Sequence, residues 1–154
     1  MNISSKTLAS WLLILGPILT LVIWVGLEPA LVGDYNDPQE FLGMMAEAGD
    51  IGALLGLLGG VFFLAQMVGT TIFARQLGKK GSGAAVGNIA AILGIVLASA
   101  VIISNDIGLS ALAAGSAGDG ASAMVGAQVS FYSGASFGVL FGLTYLCLSI
   151  PMIA

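Results

Sequence analysis

The chain has 154 residues; 58% are hydrophobic and 8% charged, with 23 glycines, one cysteine, no histidine and a net charge of −4. Mean hydropathy is +1.05 and the pI is about 4.2. A soluble domain carries about 25% charged residues, so this composition excludes a soluble enzyme module, and the shortage of cations excludes a nucleic-acid-binding face.

Apolar runs at about Leu8–Leu27, Ile51–Ala74, Ala84–Ser104 and Ser122–Ile150 divide the chain. Each is long enough, at roughly 20 or more residues and ~1.5 Å per residue, to cross a ~30 Å hydrocarbon layer as a helix. Lys6, Arg75, Lys79 and Lys80 lie before the first run or between the second and third. Glu28, Asp34, Asp37, Glu40, Glu47, Asp50, Asp106 and Asp119 lie after the first run or between the third and fourth. This bias places both termini and the Arg75–Lys80 loop in the cytoplasm, with the acidic loops outside. The expected class is an all-α integral membrane protein of one domain, residues 1–154: a four-transmembrane-helix bundle with a short extracytoplasmic interfacial helix between helices 1 and 2.

The first run follows Lys6 but exceeds the ~7–15 apolar residues of a signal peptide and lacks an A-x-A cleavage site, so it reads as a retained helix. Trp11 and Trp24 stand near its two ends, where interfacial anchors belong. Gly16-Pro17 predicts a bend. Its scarcity of small residues marks it as the most lipid-exposed helix. In the connection Glu28–Asp50, Asp37-Pro38-Gln39-Glu40 reads as a helix start and Gly49 as a stop, which predicts the interfacial helix over about 38–48. The run Asp34-Tyr35-Asn36-Asp37 lacks the spacing of a calcium loop and reads as a turn with its cap.

The second run carries a small-residue row, Ala48, Gly52, Gly56 and Gly60, with Gln66 and Thr70 on the same face. The basic loop that follows fixes topology and suits anionic headgroups. The third run carries Gly87, Ala91, Gly94 and Ala98. The connection Asn105–Ala121, rich in Gly, Ala and Ser, is expected to be irregular or weakly helical. The fourth run repeats Gly126, Ser130, Gly134, Gly138 and Gly142. Such rows let helix backbones approach closely, and close packing holds helices together in lipid. A four-residue step drifts ~40°, so this last row sweeps ~160° of its helix. That spread suits a helix with two neighbours, at the centre of the bundle, with Leu140 toward lipid. Gln128, Tyr132 and Ser136 form a second row.

No histidine is available for haem, copper or di-iron ligation. No charged residue falls inside an expected span, where proton relays and ion-coupled transporters keep theirs. Cys147 stands alone and reads as a small packing residue. The sequence thus offers no catalytic, cofactor or metal residues; bound lipid is the only ligand it invites. The leading expectation is a non-catalytic membrane protein that works by helix–helix association, as an accessory subunit of a membrane complex or a self-assembling scaffold. Its partners would be lipids, itself and other membrane subunits. Its packing residues are Gly52, Gly56, Gly60, Gly87, Gly94, Gly126, Ser130, Gly134, Gly138 and Gly142. The alternative is an oligomeric channel or facilitator for a small neutral solute, lined by Gln66, Thr70, Asn88, Gln128, Tyr132 and Ser136.

Overall fold

A computed structural model describes residues 4–79 and 83–153, and these form an all-helical structure. Lys80, part of the basic loop, lies outside the described residues. Helix α1 runs continuously from Ser5 to Leu31, α2 is Pro38–Ala48, α3 is Asp50–Leu77, α4 is Ala84–Ser116 and α5 is Gly120–Ile153. All but α2 are long and apolar enough to cross a membrane.

Helix ends follow local chemistry. Ser4 caps α1 by accepting the Thr7 amide at 3.2 Å. Asp37 caps α2, its Oδ1 accepting the Gln39 and Glu40 amides at 2.8 Å each, and Pro38 occupies the first turn, where its missing N–H costs nothing. Glu40 reaches back to accept the Asn36 amide at 2.8 Å. Gly49, at φ +57°, ends α2 and leads directly into α3. The run 34–37 is spent on this cap and on Tyr35, described below.

Two boundaries differ from expectation. First, α1 does not stop at Leu27. A π-helical segment, Val22–Leu27, passes into a last α-helical turn, Glu28–Leu31. Pro29 has no N–H and crowds the preceding turn; the widened turn just before it accommodates the ring without ending the helix. Second, the connection expected over Asn105–Ala121 is mostly helix. Helix α4 continues to Ser116, and the turn is only a few residues long. Gly118, at φ +85°, closes it: the Gly118 amide donates to Gly115 O and the Asp119 amide to Ala114 O, both at 3.0 Å. Asp119 Oδ1 then accepts the Ser122 amide at 3.1 Å and starts α5.

The long helices pack in chain order: α1 on α3, α3 on α4, α4 on α5, while α3 and α5 meet only narrowly. Close approaches by small residues set these contacts. A Cβ on Gly16 would meet the Gln66 backbone at 2.7 Å, and one on Gly69 would meet Leu12 at 2.9 Å. Helix α1 therefore lies along α3 and is not the most exposed helix; α5 buries the smallest share of its residues. The core between the helices is Phe63, Met67, Leu97, Ala98 and Val101, with Trp24, Phe137, Leu140 and Tyr145 packed against it. Leu140 thus faces this core rather than the outside. Helix α2 lies across one end of the bundle, chiefly on α5, with Met45 buried and Phe41 and Leu42 half-buried.

The position of α5 at the edge, not the centre, follows from its own drift. Gly126 and Ser130 face α4, where a Cβ on Gly126 would meet Ala111 at 2.8 Å and one on Gly108 would meet Ser130 Oγ at 3.0 Å. Four residues further on the row has rotated away. At Gly134, Gly138 and Gly142 a Cβ would find nothing within 4 Å. What α5 buries instead is Ala123, Ala127, Thr144 and Leu148.

Candidate functional site

The expected packing residues divide into spent and unspent positions. Gly52 lies against Met45 and Ala48, Gly60 against the Asn105 side chain, Gly87 against the backbone of Gly78, and Gly94 against Thr71. Gly56 has open space at its Cβ position, and its carbonyl accepts Asn105 Nδ2 at 3.3 Å. Together with Gly126 and Ser130 of α5, which pack against α4, these positions hold the chain's own helices together. Gly134, Gly138 and Gly142 are exposed, and a Cβ at each would find nothing within 4 Å; Gly134 also borders the cavity described below.

The six uncharged polar residues do not line one space. Gln66 Nε2 donates to Tyr145 Oη at 3.0 Å, Thr70 Oγ1 donates to Gln66 O at 3.0 Å, and Thr70 lies 3.3 Å from Tyr145 Oη. Gln66 and Thr70 are buried, so this cluster ties α3 to α5 inside the core. Asn88 is exposed and donates to Gly78 O at 3.5 Å. Gln128, Tyr132 and Ser136 are exposed on α5.

A cavity of about 360 Å³ lies elsewhere, at the acidic end of the bundle. Helices α1 and α5 make no substantial contact with each other among the described residues, and the cavity occupies the gap between them. Trp24 and Glu28 line it from α1, Phe131, Gly134 and Phe137 from α5, Ser104, Asn105 and Leu109 from α4; Tyr35, Phe41 and Met45 cover it.

Glu28 is the decisive side chain. It is 8% exposed, a carboxyl group inside a helix of otherwise apolar character. Tyr35 Oη donates to its Oε1 at 2.5 Å. The Tyr35 ring is in turn fixed by Phe41, edge-on at 5.1 Å between centroids, and by Phe131 at 6.3 Å. Burial, then the hydrogen bond and charge of Glu28, push the Tyr35 phenol well above its ordinary pKa. Deeper polar groups are internally bonded: Ser104 and Ser133 hydroxyls lie 2.7 Å apart, and Ser133 donates to Ser130 O at 2.7 Å.

Sequence reasoning ended the first span one residue before Glu28 and therefore placed no charge inside a span. The missed signal is the apolar stretch Pro29-Ala30-Leu31-Val32 that resumes after it. Tyr35, Ser104 and Asn105 were missed because single polar residues carry no spacing pattern. No protein-family model matches this chain, and no curated protein or solved structure matches it significantly.

Proposed function

We propose that this chain is a four-span integral membrane protein, with both termini in the cytoplasm, that works through helix–helix association as a self-assembling scaffold or an accessory subunit. The observation that carries this reading is the open face of α5. Gly134, Gly138 and Gly142 keep a four-residue repeat on an exposed surface, with no neighbour within 4 Å of any Cβ position. Gly16, Gly59, Gly69 and Gly126 are used in close approaches between helices; this row is left available. In lipid, where apolar burial supplies no drive, such a row is the kind of surface that lets a second helix approach backbone to backbone.

Orientation rests on the charges. Lys6, Arg75 and Lys79 are exposed at one end, and Asp34, Asp37, Glu40 and Glu47 are exposed at the other, a charge bias that favours the basic end inside. Helix α2 then belongs to the outer surface. Neither catalysis nor a resident metal or cofactor forms part of this reading; lipids surround the bundle. The solute-facilitator alternative gains no support from its six residues, which are dispersed among the core (Gln66, Thr70), the start of α4 (Asn88) and the exposed face of α5 (Gln128, Tyr132, Ser136).

Co-expression of tagged and untagged chains tests the reading. Capture of the tag in mild detergent should bring down untagged copies or other membrane subunits, and Gly138→Leu should abolish it, because a bulky residue keeps the partner backbone away. Capture of the tagged chain alone would contradict the proposal.

A further inference from the structure

The cavity beside Glu28 poses a question of charge balance. Glu28 is more than nine-tenths buried and lines the cavity wall. One of its oxygens accepts the Tyr35 hydroxyl; the other has no donor among the described residues and is not sealed from the space beside it. A buried carboxylate is costly unless it is paired. Among the described residues no Lys or Arg lines the cavity. Lys6 precedes Glu28 by more than twenty residues of one helix, and Arg75 and Lys79 lie at the same far end, since Gly69 packs on Leu12 while Gly59 packs on Trp24. No described cation faces Glu28, so its charge is balanced by a proton or by a cation that enters the cavity.

The surroundings choose the kind of cation. A calcium ion needs six or more oxygen ligands, and no group of three His, Cys, Asp or Glu side chains is gathered among the described residues. The cavity instead sets one carboxylate among aromatic rings: Trp24, Tyr35, Phe41, Phe131 and Phe137. Carboxylate plus aromatic faces is the recognition chemistry of a large, weakly hydrated ammonium. A volume of about 360 Å³ falls within the usual range of small-molecule sites.

We propose that this cavity binds an organic cation of the alkylammonium class, its charge held by Glu28 and its substituents by the aromatic walls. Tyr35 is a positioning residue, aiming the carboxylate through its hydrogen bond. The alkylammonium group reaches the site either as a free solute or as the headgroup of a lipid, since both carry the same chemistry.

The test uses the full chain in nanodiscs of phosphatidylglycerol, which carries no amine, with Trp11→Phe so that Trp24 alone reports by fluorescence. Phenyltrimethylammonium should change Trp24 emission saturably, and its uncharged carbon analogue tert-butylbenzene should not. Glu28→Gln should weaken binding by roughly tenfold or more, as expected when one member of a buried charge pair is lost, and Glu28→Asp should retain part of it. Repeating the titration in phosphatidylcholine nanodiscs assigns the source: a weakened response means that the lipid headgroup competes for the site, and an unchanged one means a free solute. Equal responses to the cation and its neutral analogue, or no saturable response to the cation, would overturn the proposal even if Glu28→Gln failed to fold. So would a well-folded Glu28→Gln that bound the cation like the parent.

Discussion

At Gly16 a methyl group would meet the Gln66 backbone at 2.7 Å, whereas at Gly26 it would meet nothing within 4 Å. Backbone cannot swing aside as a side chain can, so Gly16→Ala should cost roughly 1–3 kcal/mol of stability through overpacking. Gly26→Ala should be neutral or stabilising by up to about 1 kcal/mol, because alanine loses less backbone freedom in a helix. Unfolding of the two variants in one detergent compares them, and equal losses would mean that the α1–α3 crossing is misplaced. Tyr35 offers a second residue-scale test. Its phenol is raised above the ordinary value by burial and by Glu28. A raised folded pKa means that its stabilisation is complete below the unfolded pKa of about 10 and is lost as pH rises from there through the folded value. Stability should therefore decline above about pH 10, and Tyr35→Phe should remove that part of the decline. An identical alkaline profile in both proteins would show that Tyr35 is not buried against Glu28.

At the scale of elements, the paired ends of α4 and α5 make the sharpest prediction. Amides from Ile107 to Ser116 lie in helix and should exchange slowly with solvent, as helical amides do; fast exchange would restore the irregular connection that composition suggests. The contrast with α2 shows what could be read in advance. Asp37, Pro38, Glu40 and Gly49 mark the ends of α2 because caps and positive-φ stops are chemistry of a few adjacent residues. Asn105, Gly108, Ser110 and Gly115 have low helix propensity, yet α4 runs through them. Gly108 receives Ser130 and Gly115 receives Ala123, so packing against α5 overrides local preference. The same distinction explains the site. The face holding Gly52, Gln66 and Thr70 could be read from periodicity, and all three are buried. Glu28, Tyr35 and Asn105 come from separate elements, and only the tertiary fold brings them to one cavity. The four-residue row on α5 was visible, but not the point at which its rotation carries it off α4.

For the whole molecule, orientation and assembly remain to be measured separately. In a Cys147→Ser background, cysteines placed at Asp37 or Asp119 should react with an impermeant thiol reagent added to intact cells, and one at Lys79 should not; reversed labelling would invert the topology. If the exposed row on α5 is a mating surface, the mass of the detergent-solubilised protein by light scattering, corrected for bound detergent, will show it. The wild type should exceed the 15.5 kDa of one chain, as a multiple of it or with other subunits attached. Gly138→Leu, at a position where a Cβ meets nothing within 4 Å among the described residues, should fall to one chain while keeping the wild-type unfolding temperature. A wild-type protein that is strictly a 15.5 kDa monomer, free of other subunits, would contradict the claim.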